Sequence, residues 1–181
     1  ILGTGYIANL FAEGLQVVND AELVAVGSRS QESANGFGEK WNIPHKHASY
    51  EALANDPDVD VVYVGTPHPM HRDNTILCLN AGKHALVEKS FAVNENQAKE
   101  MVDLARKKGL FLMEAMWTRY IPAIVQVKKW ISEGAIGEVQ QVRADLSFVK
   151  QYDREHRLFS PELGGGALLD VGVYPVSLAS M

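Results

Sequence analysis

The strongest constraint in this sequence is an alternation of apolar runs with segments of helical spacing over its first two-thirds. The runs AELVAV, DVVYVG, HALVEK and LFLMEAMW are rich in β-branched and other apolar side chains. Continuous apolar strands separated by amphipathic helices are typical of parallel βαβ units whose sheet is covered on both faces. The alternation therefore predicts an α/β fold with a doubly wound parallel sheet.

Helices are expected around these strands, over residues 6–18, 31–41, 71–80 and 94–108. The last of them has the clearest start, because Asn94 is a suitable N-cap with Gln97 three residues later. Ala81 and Gly82 predict the end of the third helix, since glycine commonly follows the last helical turn.

The rhythm changes in the last third of the chain. Residues 121–133 are expected to be helical, and EVQQVRADLSF (138–148) alternates roughly as a half-exposed strand does. The segment GGGALLDVGVYP (164–175) is predicted to be a further helix. We therefore predict one domain over residues 1–118 and the incomplete beginning of a second, α+β domain over residues 119–181.

A glycine-rich turn joins the first strand to the first helix. Residues 3–8, GTGYIA, match the pattern G-x-G-x-x-A in its required strand–turn–helix context. Gly3 and Gly5 allow a tight turn and the close approach of a pyrophosphate, while the small Ala8 lets the helix pack closely on the strand. The turn predicts a Rossmann dinucleotide-binding domain, with a plain tight turn as the alternative.

The end of the second strand indicates which dinucleotide is bound. An acidic residue there would accept hydrogen bonds from the ribose 2′-hydroxyl of NAD, but this sequence has Ser28, Arg29 and Ser30. A carboxylate would repel a 2′-phosphate, whereas Arg29 can donate two hydrogen bonds to it and the serines can add more. We therefore expect Ser28 and Arg29 to bind NADP rather than NAD; a surface arginine without that role is the alternative.

The composition argues against several classes of partner. The net charge of −5 and the isoelectric point near 5.7 give no sign of nucleic acid or of a membrane surface as partner. No run approaches the roughly 18 apolar residues of a transmembrane helix. The single cysteine, Cys78, cannot form an internal disulfide and lies in an apolar run, where we expect a core residue. We expect a cytoplasmic protein, in a chain that begins inside a strand at Ile1.

Polar residues follow the third strand, in the segment GTPHPMHRDN (65–74). His68 and His71 are three residues apart and suggest a metal, but further ligands at a suitable spacing are missing. We therefore predict no metal here, and expect Thr66, His68 and His71 to contact the cofactor or to cap a helix.

Glu88 and Lys89 end the strand HALVEK, at the carboxyl edge where parallel sheets bind ligands. Charges after an apolar strand are costly unless they are used or paired. One interpretation is an ordinary ion-paired strand end. The other is functional, because a lysine there could hold a substrate oxygen or favour the ionisation of a neighbouring phenol.

Asp170 and Tyr174 lie four residues apart in the apolar segment 164–175. On a helix they would share one face. Taken alone, Tyr174 is most simply interpreted as a core tyrosine with a satisfied hydroxyl.

Five motifs then occur in order with a familiar spacing: G-x-G-x-x-A, TPHPMH, EKS, EAMWTRY and GGGALLDVGVYP. With them, the chain resembles the glucose–fructose oxidoreductase / inositol dehydrogenase (Gfo/Idh/MocA) family of NAD(P)-dependent oxidoreductases over all 181 residues. It is most similar to the branch of dimeric trans-dihydrodiol dehydrogenases and NADP-dependent D-xylose dehydrogenases. Family chains are nearly twice as long, so the resemblance implies that most of the C-terminal open β-sheet domain is absent here.

The resemblance assigns catalytic roles to individual residues. The EKP motif of the family corresponds to residues 88–90, with Ser90 in place of the proline and the catalytic Lys89 retained. Asp170 matches an aspartate in the helix motif of the second domain. Tyr174 stands where many members have a histidine, and related branches use a tyrosine there as general acid/base.

The same resemblance implies further contacts with the ligands. Glu88 and Lys89 are expected beside the cofactor, and Trp117 and Arg119 are expected to approach its nicotinamide end. Phe148 is expected to line the substrate pocket, whereas Trp117 is also consistent with a core residue of the strand LFLMEAMW.

The function implied by the resemblance is hydride transfer between NADP and a hydroxyl-bearing carbon of a sugar or a cyclic trans-diol. Tyr174 would remove the hydroxyl proton with the help of the Lys89 ammonium, and Asp170 would orient Lys89 or a substrate hydroxyl. The complete protein is expected to form a homodimer or a higher homo-oligomer. The alternative is a non-catalytic NAD(P)-sensing regulator on the same fold, which has no reason to keep Lys89 and Tyr174 together.

Overall fold

A computed structural model describes all 181 residues of the chain. These residues form two compact units, Ile1–Glu114 and Ala115–Met181. The division follows directly on the last strand of the parallel sheet, slightly before the position at which the sequence suggested a domain boundary. None of the helices combines the length and the apolar character that a bilayer span requires.

The first unit alternates strands and helices. Its strands are β1 (Ala25–Gly27), β2 (His45–His47), β3 (Val61–Val64), β4 (His84–Val87) and β5 (Leu112–Glu114). Its helices are α1 (Tyr6–Leu15), α2 (Gln31–Lys40), α3 (Tyr50–Ala54), α4 (His71–Asn80) and α5 (Glu95–Lys108), with a 3₁₀ turn at His68–Met70. The predicted α/β class is confirmed, while β2 and α3 lie in a stretch for which the apolar pattern predicted no element.

The strands are all parallel, and the amino-terminal segment joins the two halves of the sheet. β1 pairs with β2, and β4 pairs with both β3 and β5. Leu2 bridges Gly27 on one side and Val64 on the other, through four backbone hydrogen bonds of 2.8–2.9 Å made by residues 1–3. The resulting order is β2, β1, residues 1–3, β3, β4, β5, which is the doubly wound order of a Rossmann sheet.

The core of this unit is an apolar cluster around the central strands. Its buried members are Leu2, Ala25, Leu53, Val59, Val62, Val64, Cys78, Ala85 and Val87. Cys78 is fully buried, as expected for a small core residue, and burial raises the pKa of its thiol to about 12. Such a thiol stays protonated at neutral pH, which makes it a poor nucleophile.

Helix starts in the first unit are of two kinds. Ser30 Oγ and Asn94 Oδ1 accept hydrogen bonds from the backbone N–H groups of Ser33 and Gln97 at 3.3 and 3.0 Å, and so cap α2 and α5. The Asn94 cap predicted from the sequence is therefore confirmed. By contrast, α1 begins after Gly5 and has no side-chain cap. The N–H groups of its first turn are left for another acceptor.

The second unit contains helices and turns but no strand. Its elements are α6 (Pro122–Ser132), α7 (Val173–Ala179), 3₁₀ turns at Trp117–Tyr120 and Pro161–Leu163, and a π-helical turn at Leu168–Gly172. The helix predicted over residues 164–175 is therefore a π turn that leads into α7. Gly164 and Gly166 precede it with φ of +71° and +125°, a conformation that favours glycine.

Of two strand predictions near this unit, the one through LFLMEAMW is confirmed as β5 but extends too far, and the one over residues 138–148 is wrong. The strand predicted through LFLMEAMW ends at Glu114, because an inverse γ-turn at Met116 redirects the chain: Trp117 N donates to Ala115 O at 2.9 Å. Residues 138–148 form no strand, although their side chains alternate. Strand backbone groups need a paired neighbour, and the second unit offers none.

Val61 and Val62 on β3 provide a matched test of the core. Val62 is fully buried, whereas Val61 is 53% exposed. Val62→Ala should lower the free energy of unfolding of the first unit by about 2 kcal/mol, because it removes two buried methyl groups and leaves a cavity. Val61→Ala should change it by about 0.5 kcal/mol or less. Urea unfolding followed by circular dichroism measures both, and equal losses would contradict the difference in burial between Val62 and Val61.

Candidate active site

The glycine turn lies at the centre of the sheet and shapes a ligand-sized opening. Gly3 has φ of +97°, and a Cβ placed on it would approach Gly65 O to 3.0 Å. A Cβ on Gly5 would meet no atom within 4 Å, so the space in front of α1 is open. Ala8 is fully buried, consistent with the close helix packing expected of it. The uncapped N–H groups of α1 therefore face an open space suited to an anion.

Ser28 and Arg29 follow β1 at the same edge of the sheet. Ser28 is buried, and its N–H donates to His47 O at 3.0 Å, which fixes its backbone on the edge strand β2. Arg29 is exposed. Burial of Tyr50 raises the pKa of its phenol, and the nearby charge of Arg29 partly offsets that rise. Ser30 caps α2, so its hydroxyl is already used in the protein. Of the three residues, Arg29 is the one that presents an accessible cationic group.

The residues after β3 form a buried hydrogen-bond network around His71. Its Nδ1 lies 2.7 Å from Ser90 O and its Nε2 lies 2.7 Å from Thr66 O. Asn74 Nδ2 donates to Thr66 Oγ1 at 2.9 Å, and the ring of the buried His68 lies 5.6 Å from that of His71. The ring of His71 is fully enclosed. The expected contact between His71 and a cofactor is therefore corrected: its two nitrogens bind backbone carbonyls and connect the β3 loop to the segment after β4.

Glu88 is hydrogen-bonded rather than ion-paired at the end of β4. Tyr63 Oη donates to Glu88 Oε1 at 2.6 Å, and Lys89 N donates to Glu88 Oε2 at 3.1 Å. Phe11 stacks on the Tyr63 ring at 3.7 Å between centroids. Burial raises the pKa of Glu88 and also that of Tyr63. Tyr63 could not be identified from the sequence, because an apolar strand gives no sign that one of its residues binds a carboxylate.

Three side chains hold the backbone around Lys89, and we call them the lysine clamp: Glu88, His71 and Glu114. Glu88 accepts from Lys89 N, His71 contacts Ser90 O, and Glu114 Oε1 accepts from Phe91 N at 3.0 Å. The Lys89–Ser90 peptide bond is cis. Since the clamp fixes consecutive backbone groups, the Lys89 side chain starts from a defined position at the sheet edge. Thr66, His68, Glu88 and Lys89 are thus brought to this edge as the sequence suggested.

In the second unit, Tyr174 is paired with Trp117. Trp117 Nε1 donates to Tyr174 Oη at 3.1 Å, and the two rings meet edge to face with centroids 5.9 Å apart. Trp117 is 56% exposed, so it is not the core residue of a strand. An indole N–H can only donate. The Tyr174 oxygen is therefore the acceptor in this contact, which does not use the hydroxyl proton.

Asp170 lies in the π turn one helical turn before Tyr174. Its carboxylate is buried, and Arg157 Nη1 donates to Asp170 Oδ1 at 2.8 Å. No pattern in the sequence points to this pair, because Arg157 lies in an irregular polar segment. The salt bridge ties that segment to the π turn, a type of turn that is frequent at functional sites.

Arg119 is bound to the end of α7. Its Nε donates to Ser177 Oγ and its Nη2 to Ser180 Oγ, both at 2.8 Å, and Nη2 also approaches Ser177 O at 3.3 Å. A contact between Arg119 and the nicotinamide stays a prediction. Phe148 is 58% exposed in the irregular segment 138–148, and its place in a substrate pocket likewise stays a prediction.

The second unit also holds an apolar cavity of about 160 Å³. Tyr174 and Pro175 of α7 are among its lining residues, together with Ala144 and Leu146. The irregular segment 138–148 and the helix that carries Tyr174 therefore border the same cavity.

Two family models match the chain and together cover nearly all of it. The model of an oxidoreductase family with an NAD-binding Rossmann fold (GFO/IDH/MocA) matches residues 1–116. The model of the GFO/IDH/MocA C-terminal domain matches residues 124–181.

Similar proteins of known description include dehydrogenases and oxidoreductases. The trans-1,2-dihydrobenzene-1,2-diol dehydrogenases of Xenopus laevis and Homo sapiens are 44% and 41% identical, over 100% of this chain but only 55% and 54% of theirs. The chain thus spans about half the length of the curated relatives it matches.

Solved structures give a similar result. The 3-ketoreductase KijD10 from Actinomadura kijaniata, in complex with NADP and TDP-benzene, is 33% identical with a TM-score of 0.84, over 99% of this chain and 55% of that one. An NAD-binding oxidoreductase from Klebsiella pneumoniae is 28% identical with a TM-score of 0.83, over 99% and 51%.

The buried His71 should make the stability of the first unit depend on pH. Burial lowers the pKa of His71 to about 4 in spite of its two carbonyl contacts, while an unfolded histidine titrates near 6.5. Below pH 6.5 the unfolded chain therefore binds a proton that the folded chain does not, and stability falls as the pH is lowered towards 4. Between pH 7 and pH 5 this residue should account for a loss of about 2 kcal/mol.

Urea unfolding of the chain and of His71→Asn at pH 7 and pH 5 measures this effect. The variant is expected to be less stable at both values, since it disturbs the network, but to lose about 2 kcal/mol less between them. The difference between the two slopes isolates His71 from the other histidines, which both proteins share. Identical slopes would contradict a neutral, buried ring.

Proposed function

Because this chain belongs to the GFO/IDH/MocA oxidoreductase family, we propose that it forms the cofactor-binding part of an NADP-dependent dehydrogenase. The proposed reaction transfers hydride between the nicotinamide and a hydroxyl-bearing carbon of a cyclic trans-diol or a sugar. Relatives named as dihydrodiol dehydrogenases support a diol. The observation that carries the proposal is the open amino end of α1 beside Gly65, at the sheet edge that also carries Lys89.

The residues at the glycine turn fit a dinucleotide. The uncapped first turn of α1 supplies N–H donors, and the open space at Gly5 leaves room for a pyrophosphate. When bound, NADP supplies the carbon that accepts or gives the hydride. Binding and orientation then depend on groups of the protein at the same edge, among them Thr66, His68 and Lys89.

Arg29 favours NADP over NAD. Its exposed guanidinium follows β1, where a 2′-phosphate of the adenosine ribose is bound in this fold. A planar guanidinium donates two parallel hydrogen bonds to a phosphate, whereas an acidic residue at this position would select the free 2′-hydroxyl. The neighbour crystallised with NADP supports the same choice.

Lys89 and Tyr174 are the proposed catalytic residues. The lysine clamp fixes the backbone at Lys89, whose ammonium donates a hydrogen bond to the oxygen of the reacting carbon. Tyr174 takes the hydroxyl proton during oxidation and returns it during reduction. Trp117 keeps the Tyr174 oxygen oriented by donating to it in either protonation state.

Asp170 is proposed to orient Lys89 or a substrate hydroxyl through its second carboxylate oxygen. Arg157 already binds Oδ1, which holds the carboxylate in one orientation. Asp170 therefore acts as a positioning residue in this scheme.

We also propose that the complete protein is a homo-oligomer. The second unit exposes Val139, Val142 and Phe148 to solvent at 42%, 50% and 58%. Apolar side chains grouped in this way favour an interface.

Substitution of Arg29 tests the choice of cofactor. Arg29→Ala should weaken NADPH binding tenfold or more and leave NADH binding within about twofold, because only the 2′-phosphate loses its partner. Fluorescence titration of the purified chain with each nucleotide measures both constants. Arg106→Ala, which removes an exposed arginine from the last turn of α5, is the matched control. Equal weakening of both nucleotides would contradict a role for Arg29 in the choice.

Substitution of Lys89 and Tyr174 tests the chemistry. Lys89→Met and Tyr174→Phe should each lower kcat by at least about 10²-fold, the usual contribution of a general acid/base, with a much smaller effect on NADPH binding. The assay follows NADP⁺ reduction with a panel of trans-diols and aldoses, in the longest form of the protein that its coding sequence specifies. Lys128→Met and Tyr152→Phe, at exposed positions, are the matched controls.

The same assay separates the enzyme from a regulator. Turnover with none of the diols or aldoses, together with intact NADPH binding, would instead identify a non-catalytic NADP sensor. Full turnover of Lys89→Met with unchanged cofactor affinity would rule out the proposed mechanism.

A further inference from the structure

Two histidines and an aspartate meet on the edge strand of the sheet, in a cluster that the cofactor does not require. His45 Nδ1 lies 2.7 Å and His47 Nε2 lies 2.8 Å from the same atom, Asp56 Oδ2. The donor atoms of the three side chains all lie within 4.8 Å of one another. We call this group the His45–His47–Asp56 cluster.

The backbone places these side chains together without help from a ligand. His45 and His47 are two residues apart on β2, so both project from the same face of the strand. Asp56 follows α3, and Asp58 N donates to its Oδ1 at 3.0 Å while Lys83 Nζ donates to its carbonyl at 2.7 Å. The cluster is therefore built on a strand and on a fixed loop, which is a rigid setting for a binding site.

The electrostatics of the cluster favour a cation. The Asp56 side chain is 4% exposed, and its carboxylate contacts His45, His47 and the Asp58 N–H. Asp56 is the acidic group of the cluster and would supply its oxygen ligand. The His45 and His47 side chains are 36% and 24% exposed, which gives an ion and its water access from the solvent.

We propose that His45, His47 and Asp56 bind a divalent transition-metal ion of the Zn²⁺ class. Two imidazole nitrogens and one carboxylate oxygen are ligands that Zn²⁺, Co²⁺ and Ni²⁺ prefer, whereas Mg²⁺ and Ca²⁺ prefer oxygen alone. Three protein ligands leave a fourth position for water. None of the three ligands belongs to the proposed cofactor site. The metal-binding proposal can therefore be tested separately from the proposed dehydrogenase activity.

Metal binding requires a rearrangement of the side chains. Ligand atoms around a tetrahedral Zn²⁺, at bond lengths of about 2.0–2.2 Å, lie about 3.3 Å apart. The nitrogens of His45 and His47 must therefore move about 0.5 Å away from Asp56 Oδ2. Because the donor atoms now lie within 4.8 Å of one another, the two nitrogens must also approach each other by up to about 1.5 Å, through rotation of their side chains. Each imidazole would bind the metal in the neutral tautomer whose proton lies on the distal nitrogen, so that the ligating nitrogen offers its lone pair.

Asp58 supplies a suitable second partner for one of these rings. Its Oδ2 lies 3.8 Å from His45 Nε2, the nitrogen that carries the proton when Nδ1 binds the metal. A carboxylate that faces the distal N–H of a ligating histidine fixes the tautomer and makes the ring a better donor.

A bound metal would tie the edge strand to the loop after α3. β2 pairs only with β1, and its His47 carbonyl also holds Ser28 N. An ion that binds only the folded form stabilises that form by mass action. Metal binding should therefore raise the melting temperature of the first unit.

Isothermal titration of the tag-free chain with ZnCl₂, after treatment with chelator and desalting, tests the proposal directly. One equivalent is expected to bind, with the affinity reduced tenfold or more in His45→Gln and in His47→Gln. His84→Gln, which removes a histidine from β4, is the matched control and should bind as the original chain does. Absence of stoichiometric binding, or equal binding by all four proteins, would show a purely hydrogen-bonded cluster and overturn the proposal.

Two further measurements do not depend on the fold of the variants. Co²⁺ added to the original chain should give the intense visible absorption of a tetrahedral site with nitrogen and oxygen ligands, and an excess of Zn²⁺ should abolish it. At a concentration 100 times its dissociation constant, Zn²⁺ should raise the melting temperature by about 5 °C or more, whereas Mg²⁺ should not. A pale octahedral Co²⁺ spectrum, or an equal shift with Mg²⁺, would contradict the proposed site.

Discussion

The architecture of the first unit depends on the backbone hydrogen bonds of Leu2. Without this residue the sheet would be two separate pieces, β1 with β2 and β3 with β4 and β5. The bridge places the glycine turn at the point where the strand order reverses, which is where doubly wound sheets bind their ligands. A single fully buried residue thus determines both the continuity of the sheet and the position of the opening at Gly3 and Gly5.

The lysine clamp shows how the proposed catalytic lysine, Lys89, is held after a strand without the usual proline of the family motif. Glu88, His71 and Glu114 come from three different stretches of the chain and hold consecutive backbone groups around Lys89. The position of the lysine is therefore a property of the network and not of the motif alone. Phe11 and Tyr63 extend the network to α1, so that the helix at the glycine turn and the end of β4 are packed through one aromatic pair.

The sequence predicted most of the first unit, because strands that are buried on both faces of a parallel sheet are continuous apolar segments that can be recognised in the sequence. It also drew attention to Arg29 and Lys89, whose charges follow apolar strands, whereas the role proposed for Tyr174 depends on the family resemblance. The sequence-based predictions failed where a residue's role depends on a partner that is distant in the sequence, because no local pattern identifies such a partner. The role of His71 depends on two backbone carbonyls, Arg157 reaches Asp170 across an irregular segment, and residues 138–148 alternate but have no strand beside them.

The buried thiol of Cys78 has a practical consequence. It is the only cysteine of the chain, and its side chain becomes accessible only when the core of the first unit opens. A thiol reagent in excess would therefore react with Cys78 at the rate at which that core opens. Motions confined to the second unit would not change this rate. The reaction of Cys78 thus measures the opening of the first unit without any added label.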